Sequence, residues 1–153
     1  MAIQLKPIST NDLTFQEKES ILNHAIDLHL VGSDNVDSAG FDIVEKGSKD
    51  VLQMLRVLDQ KESIGVVYLL PVEKSREKVE MTVLVFPEFR GKHYTAPIVD
   101  AVEQFLEQQR GTISVLGAAV HDHNPMRKEL TGFLIRHGYV YAPEQRLFVK
   151  KLG

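Results

Sequence analysis

Residues 85 to 97 read Val85-Phe86-Pro87-Glu88-Phe89-Arg90-Gly91-Lys92-His93-Tyr94-Thr95-Ala96-Pro97. The run begins as the end of a β-branched and aromatic strand, passes a proline, and reaches Arg-Gly-Lys just before an amphipathic helix pattern. A helix start leaves main-chain N–H groups unpartnered and carries partial positive charge, so a loop feeding it can wrap an anion. Arg90 and Lys92 add full charges, and Gly91 permits close backbone approach. Together they point to a phosphate-bearing ligand; the plain alternative is a basic turn that binds nothing. His93 and Thr95 stand where phosphate loops more often carry glycine. Their N–H groups survive that replacement, but a left-handed φ would be costly for either residue.

Upstream, "VEMTVLVFP" alternates as a strand, with Val79, Met81, Val83 and Val85 on one face and Glu80, Thr82, Leu84 and Phe86 on the other. Before it, "MLRVLDQKESIGVVYLLP" predicts two strands joined by the turn Asp59-Gln60-Lys61-Glu62, although helix over residues 49 to 58 also fits the period. Downstream, "APIVDAVEQFLEQQRG" predicts a helix with Ile98, Val102, Phe105 and Leu106 as its stripe. "TISVLGAAV" predicts a strand, "NPMRKELTGFLIRHG" a helix ended by Gly138, and "YVYA" and "RLFVKKL" two last strands turning around Pro143. At the other end, "IQLKPI" reads as a first strand. Thr14 with Glu17 three residues on is a capping box before a helix carrying Ile21, Leu22, Ala25 and Ile26. The order is β-α-(α)-β-β-β-α-β-α-β-β, and its strand–helix–strand crossover implies a parallel or splayed pair between 79–86 and 112–120.

The 153 residues suit one domain, and no linker or repeat divides residues 1–153. No cysteine is present, which excludes disulfides, thiolate metal sites and a cysteine nucleophile. A formal charge of −3 gives no strong drive toward nucleic acid. No apolar run is long enough to span a membrane, and "MAIQLKPIST" lacks a secretory h-region, so a cytoplasmic protein is expected.

The sequence resembles the GNAT N-acetyltransferase superfamily. That family has a strand of the form L/V-x-V-x-P, then x-Y/F-R-G-x-G-x-G/A, then an amphipathic helix; here Val83 to Thr95 take those places. "VLDQKESIGVVYLL" is similar to the preceding hairpin and "NPMRKELTGFLIRHGYV" to the later helix. The resemblance implies a GNAT-like α/β fold: a central mixed, mostly antiparallel splayed sheet flanked by helices. It implies an acyl-CoA donor, acetyl-CoA first, and an amine of a small molecule or peptide as acceptor. The pantetheine arm would pair with the backbone of Val83, Leu84 and Val85, where a bulge splays the sheet. The pyrophosphate would sit on the N–H groups of Arg90, Gly91, Lys92, His93, Tyr94 and Thr95. Asn124 takes the place of a family asparagine, loosely spaced. Dimers are common in the superfamily, so a homodimer is the expectation by analogy.

The acid and base stay open. Glu80 is a candidate base, against the reading of an ordinary exposed carboxylate. His121 is nearly as plausible, because imidazole titrates near neutrality. His121 and His123 could also form a metal arm, but no third ligand follows from spacing, and no metal site is expected. Leu134 falls where the family has the tyrosine that protonates the departing thiolate. Tyr94, Tyr139, Tyr141 or water could replace it, or the fold could bind CoA without turnover, or serve as an interaction module. The acceptor would be set by residues 31 to 50 and 121 to 126, which carry no specific code.

Overall fold

A computed structural model describes residues 2–27, 53–72, 77–108, 113–120 and 127–152. The first segment forms β1 (Ile3–Ile8), a 3₁₀ turn (Thr10–Asp12) and α1 (Phe15–Asp27). Then come β2 (Gln53–Asp59), β3 (Glu62–Pro71), β4 (Lys78–Val85), a 3₁₀ turn (Pro87–Phe89) and α2 (Thr95–Glu107). The chain finishes with β5 (Val115–Ala118), α3 (Arg127–Arg136), β6 (Val140–Ala142) and β7 (Leu147–Lys151). This matches the expected order, with the bracketed second helix outside the described residues. Residues 53–59 are strand, which decides between the two readings of that stretch.

The strands form one seven-stranded sheet in the order β1-β2-β3-β4-β5-β7-β6. Only β4 and β5 run parallel, across the α2 crossover; the other pairs are antiparallel. The β2–β3 turn is the predicted one, with Asp59 opposite Glu62 and positive φ at Gln60 (50°) and Lys61 (74°). Two left-handed residues are what a two-residue hairpin needs to match strand twist.

The sheet buries a different core on each face. Leu55, Val57, Val79 and Met81 meet Ile98, Val99, Val102 and Leu106 of α2, and Phe133 and Leu134 of α3. Ile98 and Val102 are 0% exposed, so each contributes roughly 1.5–3 kcal/mol of apolar burial. Pro97 does not harm α2, because its missing N–H lies in the first turn, where no intrahelical bond would form. On the other face Leu13 and Ile21 pack against Met54, Val66, Leu84 and Phe86. The capping box at the head of α1 is formed: Glu17 N–H donates to Thr14 Oγ1 at 3.1 Å and Thr14 N–H to Glu17 Oε1 at 2.9 Å.

Glu17 does more than cap. Its carboxylate is enclosed against the sheet, where Arg56 Nη2 and Nε donate at 2.8 and 3.0 Å and the Ser63 hydroxyl at 2.8 Å. Burial pushes the Glu17 carboxyl up, but the Arg56 guanidinium, the Thr14 N–H and Ser63 outweigh it and hold it below its ordinary value. Arg56 Nη2 also donates to the Asp12 carbonyl at 2.6 Å, which fixes the turn entering α1.

The expected bulge on β4 is absent: the β3–β4 register runs unbroken from Gly65–Val85 to Pro71–Val79. The irregularity lies one strand over, where Val57 faces Gly65 and Leu58 faces Ser63, leaving Ile64 as the extra residue of β3. Glycine is required beside it, since a Cβ on Gly65 would stand 2.1 Å from the Leu84 carbonyl oxygen.

Candidate functional site

Strands β4 and β5 pair from Lys78–Val115 to Met81–Ala118, so the second half of β4, Thr82 to Val85, has β3 on one side and, among the described residues, no paired strand on the other. The direction of its main-chain groups follows from one bond. Phe86 N–H donates to the Ile64 carbonyl of β3 at 2.9 Å. In an extended strand successive residues alternate sides, so Leu84 also faces β3 while Val83 and Val85 turn their N–H and C=O into the gap. The side chain of Leu84 is buried in the α1 core. Of the three residues assigned to this edge from sequence, Val83 and Val85 therefore present polar groups to it. An extended, amide-bearing molecule could add there as a short strand.

The same edge runs into the loop read from the sequence. Arg90 is extended, Gly91 has φ 79°, His93 has φ 62°, and Tyr94 is right-handed at the cap of α2. Left-handed residues between right-handed or extended ones turn successive N–H groups inward, the geometry of an anion nest. Among the described residues no N–H from Gly91 to Ala96 donates to a main-chain carbonyl, whereas Ile98 N–H closes the first helical turn on Tyr94 O at 3.0 Å. Arg90 reaches back, its Nε 3.4 Å from Val85 O. Lys92 is exposed, with Nζ 5.4 Å from the Phe89 ring centre.

The left-handed cost expected for His93 and Thr95 falls on His93 alone. Thr95 is the first residue of α2 and has the ordinary helical backbone. Histidine is among the residues that tolerate φ > 0, which explains how this loop keeps its path without the second glycine.

The loop is tied to the β2–β3 hairpin. Tyr94 Oη donates to Asp59 Oδ2 at 2.7 Å, and this bond to a carboxylate, with some burial, raises the Tyr94 pKa above that of a free phenol. Tyr94 is thus an anchor of the loop.

Glu80 lies on the α1 face, half-buried, in register with Gly117 of β5. His121, Asn124 and the 31–50 segment lie outside the described residues, as does His123. Among the described residues no group of three or more His, Asp or Glu is placed to hold a metal ion. Leu134 is 0% exposed in the α2–α3 core. The Tyr139 hydroxyl is enclosed and has no hydrogen bond among the described residues; burial, then the charge of Glu103, raises its pKa far above the usual phenol value. Tyr141 is half-exposed on β6, its ring 5.1 Å from Phe148.

Sequence reasoning passed over Tyr68. It faces Thr82 across β3–β4, on the Glu80 face, and burial pushes its pKa up to about 12. The alternation of β3 carries no sign of a polar role; only the partner strand's register brings this phenol to the open half of β4.

No protein-family model matches the sequence, and no curated protein matches it. Solved structures do match. An acetyltransferase of the GNAT family from Staphylococcus aureus Mu50 aligns with TM-score 0.62 and 13% identity over 99% of this chain and 100% of that one. PaiA N-acetyltransferase from Thermoplasma acidophilum, in complex with coenzyme A, aligns with TM-score 0.64 and 15% identity over 99% of each chain. Spermidine N-acetyltransferase from Vibrio cholerae, in complex with CoA and spermine, aligns with TM-score 0.64 and 15% identity over 97% of this chain and 92% of that one. The chain has the GNAT fold.

Proposed function

We propose that this protein is an acyl-CoA-dependent N-acyltransferase, with acetyl-CoA as donor and a primary amine of a small molecule or peptide as acceptor. The observation that carries the reading is the junction of β4 and α2. Val83 and Val85 offer main-chain groups to the edge that β5 leaves uncovered beyond Met81. This edge leads to the loop where, among the described residues, no N–H from Gly91 to Ala96 donates to a main-chain carbonyl and where Arg90 and Lys92 add positive charge. An acyl-CoA has the complementary parts: an arm with two amides and a pyrophosphate. The neighbours that hold coenzyme A on this fold support the assignment.

In the reaction, the lone pair of a neutral amine adds to the thioester carbonyl. The tetrahedral oxyanion then collapses, the C–S bond breaks, and the nitrogen loses a proton. Glu80 is the proposed proton acceptor, directly or through water, with His121 the alternative. Tyr68 faces Thr82 from the β3 side of β4 and keeps its proton at neutral pH; acting through water, it is the proposed donor to the thiolate in place of the tyrosine that Leu134 replaces.

A second reading has a specific observation behind it. Position 134 is a leucine held in the α2–α3 core, and a hydrocarbon side chain has no proton to give the thiolate. That favours a GNAT-shaped protein that binds CoA without turning it over. A thiol-release assay with acetyl-CoA across polyamines, amino acids and peptide N-termini separates the two. Amine-dependent release supports the enzyme; acetyl-CoA binding without release across the panel supports the second reading.

A further inference from the structure

We infer that the sheet face formed by β5, β6 and β7 carries a second binding site, for a small amphiphile with an apolar body and an anionic head. A cavity of about 590 Å³ lies there, within the roughly 300–1,000 Å³ range of small-molecule sites. Val115, Val140, Leu147 and Val149 line it, around Gly117. The register explains the hollow. Val115 faces Lys151, Gly117 faces Val149, and Val149 faces Val140, so these residues share one face. Gly117 leaves the floor low at their centre, where a Cβ would stand 3.1 Å from Leu147 Cδ1.

The charge at the edge selects the ligand. Lys78 of β4 and Lys151 of β7 flank Val115 in one row across three strands, about 10 Å apart at two strand spacings. Both line the cavity and both are exposed. Among the described residues neither is paired with a carboxylate. Lys150, next to Lys151 in sequence and also lining the cavity, shows the contrast: its ammonium is taken up by Glu103, with Nζ and Oε1 at 2.5 Å. An apolar hollow with two ammonium groups at one end, neither paired with a carboxylate among the described residues, suits a carboxylate on a hydrocarbon or aromatic body. A cationic amine is the wrong sign. The proposed acyl-CoA groove lies at the far end of β4, around Val83, Val85 and the loop before α2; Glu80, the proposed base, is on the cavity's own sheet face, in register with Gly117, two residues along β4 from Lys78.

The test is calorimetric titration with decanoate, decylamine and decanol below their aggregation concentrations, paired with methyl NMR of the valines and leucines. Saturable one-to-one binding of decanoate, at least tenfold tighter than decylamine, with shifts at Val115, Leu147 and Val149, is the expected result. The variant Lys78→Glu/Lys151→Glu, changed only at exposed positions, should keep its melting temperature and lose that preference. Equal affinity for decylamine, no saturable binding at millimolar decanoate, or an unaltered preference in the double variant would overturn the inference. So would a concentration-dependent dimer in sedimentation that shifts the same methyls, since the hollow would then belong to a second copy of the chain.

Discussion

Tyr94 in the loop before α2 donates its hydroxyl to Asp59 at the end of β2, with Oη and Oδ2 at 2.7 Å. The contact links the loop before α2 to a hairpin turn 35 residues earlier. Asp59 Oδ1 is buried with no hydrogen bond among the described residues, so Tyr94 is this carboxylate's observed side-chain donor. Tyr94→Phe should therefore lower the melting temperature and weaken acetyl-CoA binding together, by loosening the loop and stranding the carboxylate. Asp59→Asn, which can still accept the bond, should lose less of both. Differential scanning fluorimetry and calorimetric titration of the two variants check this.

His93 gives a prediction of opposite character. If the loop works through main-chain N–H groups, the side chain at 93 matters only through the backbone it permits. His93→Gly should retain acetyl-CoA affinity, with stability changed by no more than about 1 kcal/mol, because relief of the left-handed cost offsets the added unfolded-state freedom. His93→Val should lose both affinity and stability, a β-branched residue being ill suited to φ 62°. Comparable affinity in the valine and glycine variants would remove the nest from the account.

The Glu17–Arg56 pair predicts a pH dependence. Glu17 has a depressed folded pKa, so its stabilisation is present above the unfolded glutamate value of about 4.3 and is lost as pH falls through the folded value. Glu17→Ala strands the Arg56 guanidinium and should cost about 3 kcal/mol at pH 7, or roughly 6–12 °C in melting temperature. The difference from wild type should shrink below about pH 4. Replacing both partners, Glu17→Leu with Arg56→Met, should recover much of the loss. Denaturant titrations at pH 7 and pH 3.5 measure each of these.

Gly65→Ala should be among the more damaging small substitutions, because its Cβ would meet main chain, not a flexible side chain, at 2.1 Å. A loss of at least about 3 kcal/mol is expected. Since Gly65 faces Val85, the displaced strand would carry the β4 edge with it. Acetyl-CoA binding by the surviving folded fraction should fall as well.

Local chemistry was legible in the sequence, and long-range chemistry was not. The Thr14–Glu17 box, the Asp59–Glu62 turn, the alternation of β4 and the loop from Arg90 to Thr95 all lie within a few residues of themselves, so spacing revealed them. Ser63 and Arg56 as partners of Glu17, Asp59 as the anchor of Tyr94, and Lys150 against the buried Glu103 depend on which strands lie side by side. The resemblance implies a bulge on β4; the register irregularity sits at Ile64 of β3, where Val57 faces Gly65 and Leu58 faces Ser63. At the candidate site, Glu80 and the main chain of Val83 and Val85 enter through the family resemblance, not through spacing alone. Tyr68 was missed because a phenol in an apolar strand looks like core until its cross-strand partner, Thr82, is known.

The most direct test is thermal unfolding with and without acetyl-CoA, for wild type and Arg90→Ala. Ligand at a hundred times its dissociation constant adds about 2.7 kcal/mol, or roughly 5–10 °C for a domain of this size. The account predicts a rise of that order in wild type and a smaller rise in the variant at the same concentration. Unchanged melting of a folded wild-type protein at millimolar acetyl-CoA would contradict it, and the open edge of β4 with its basic loop would need another ligand.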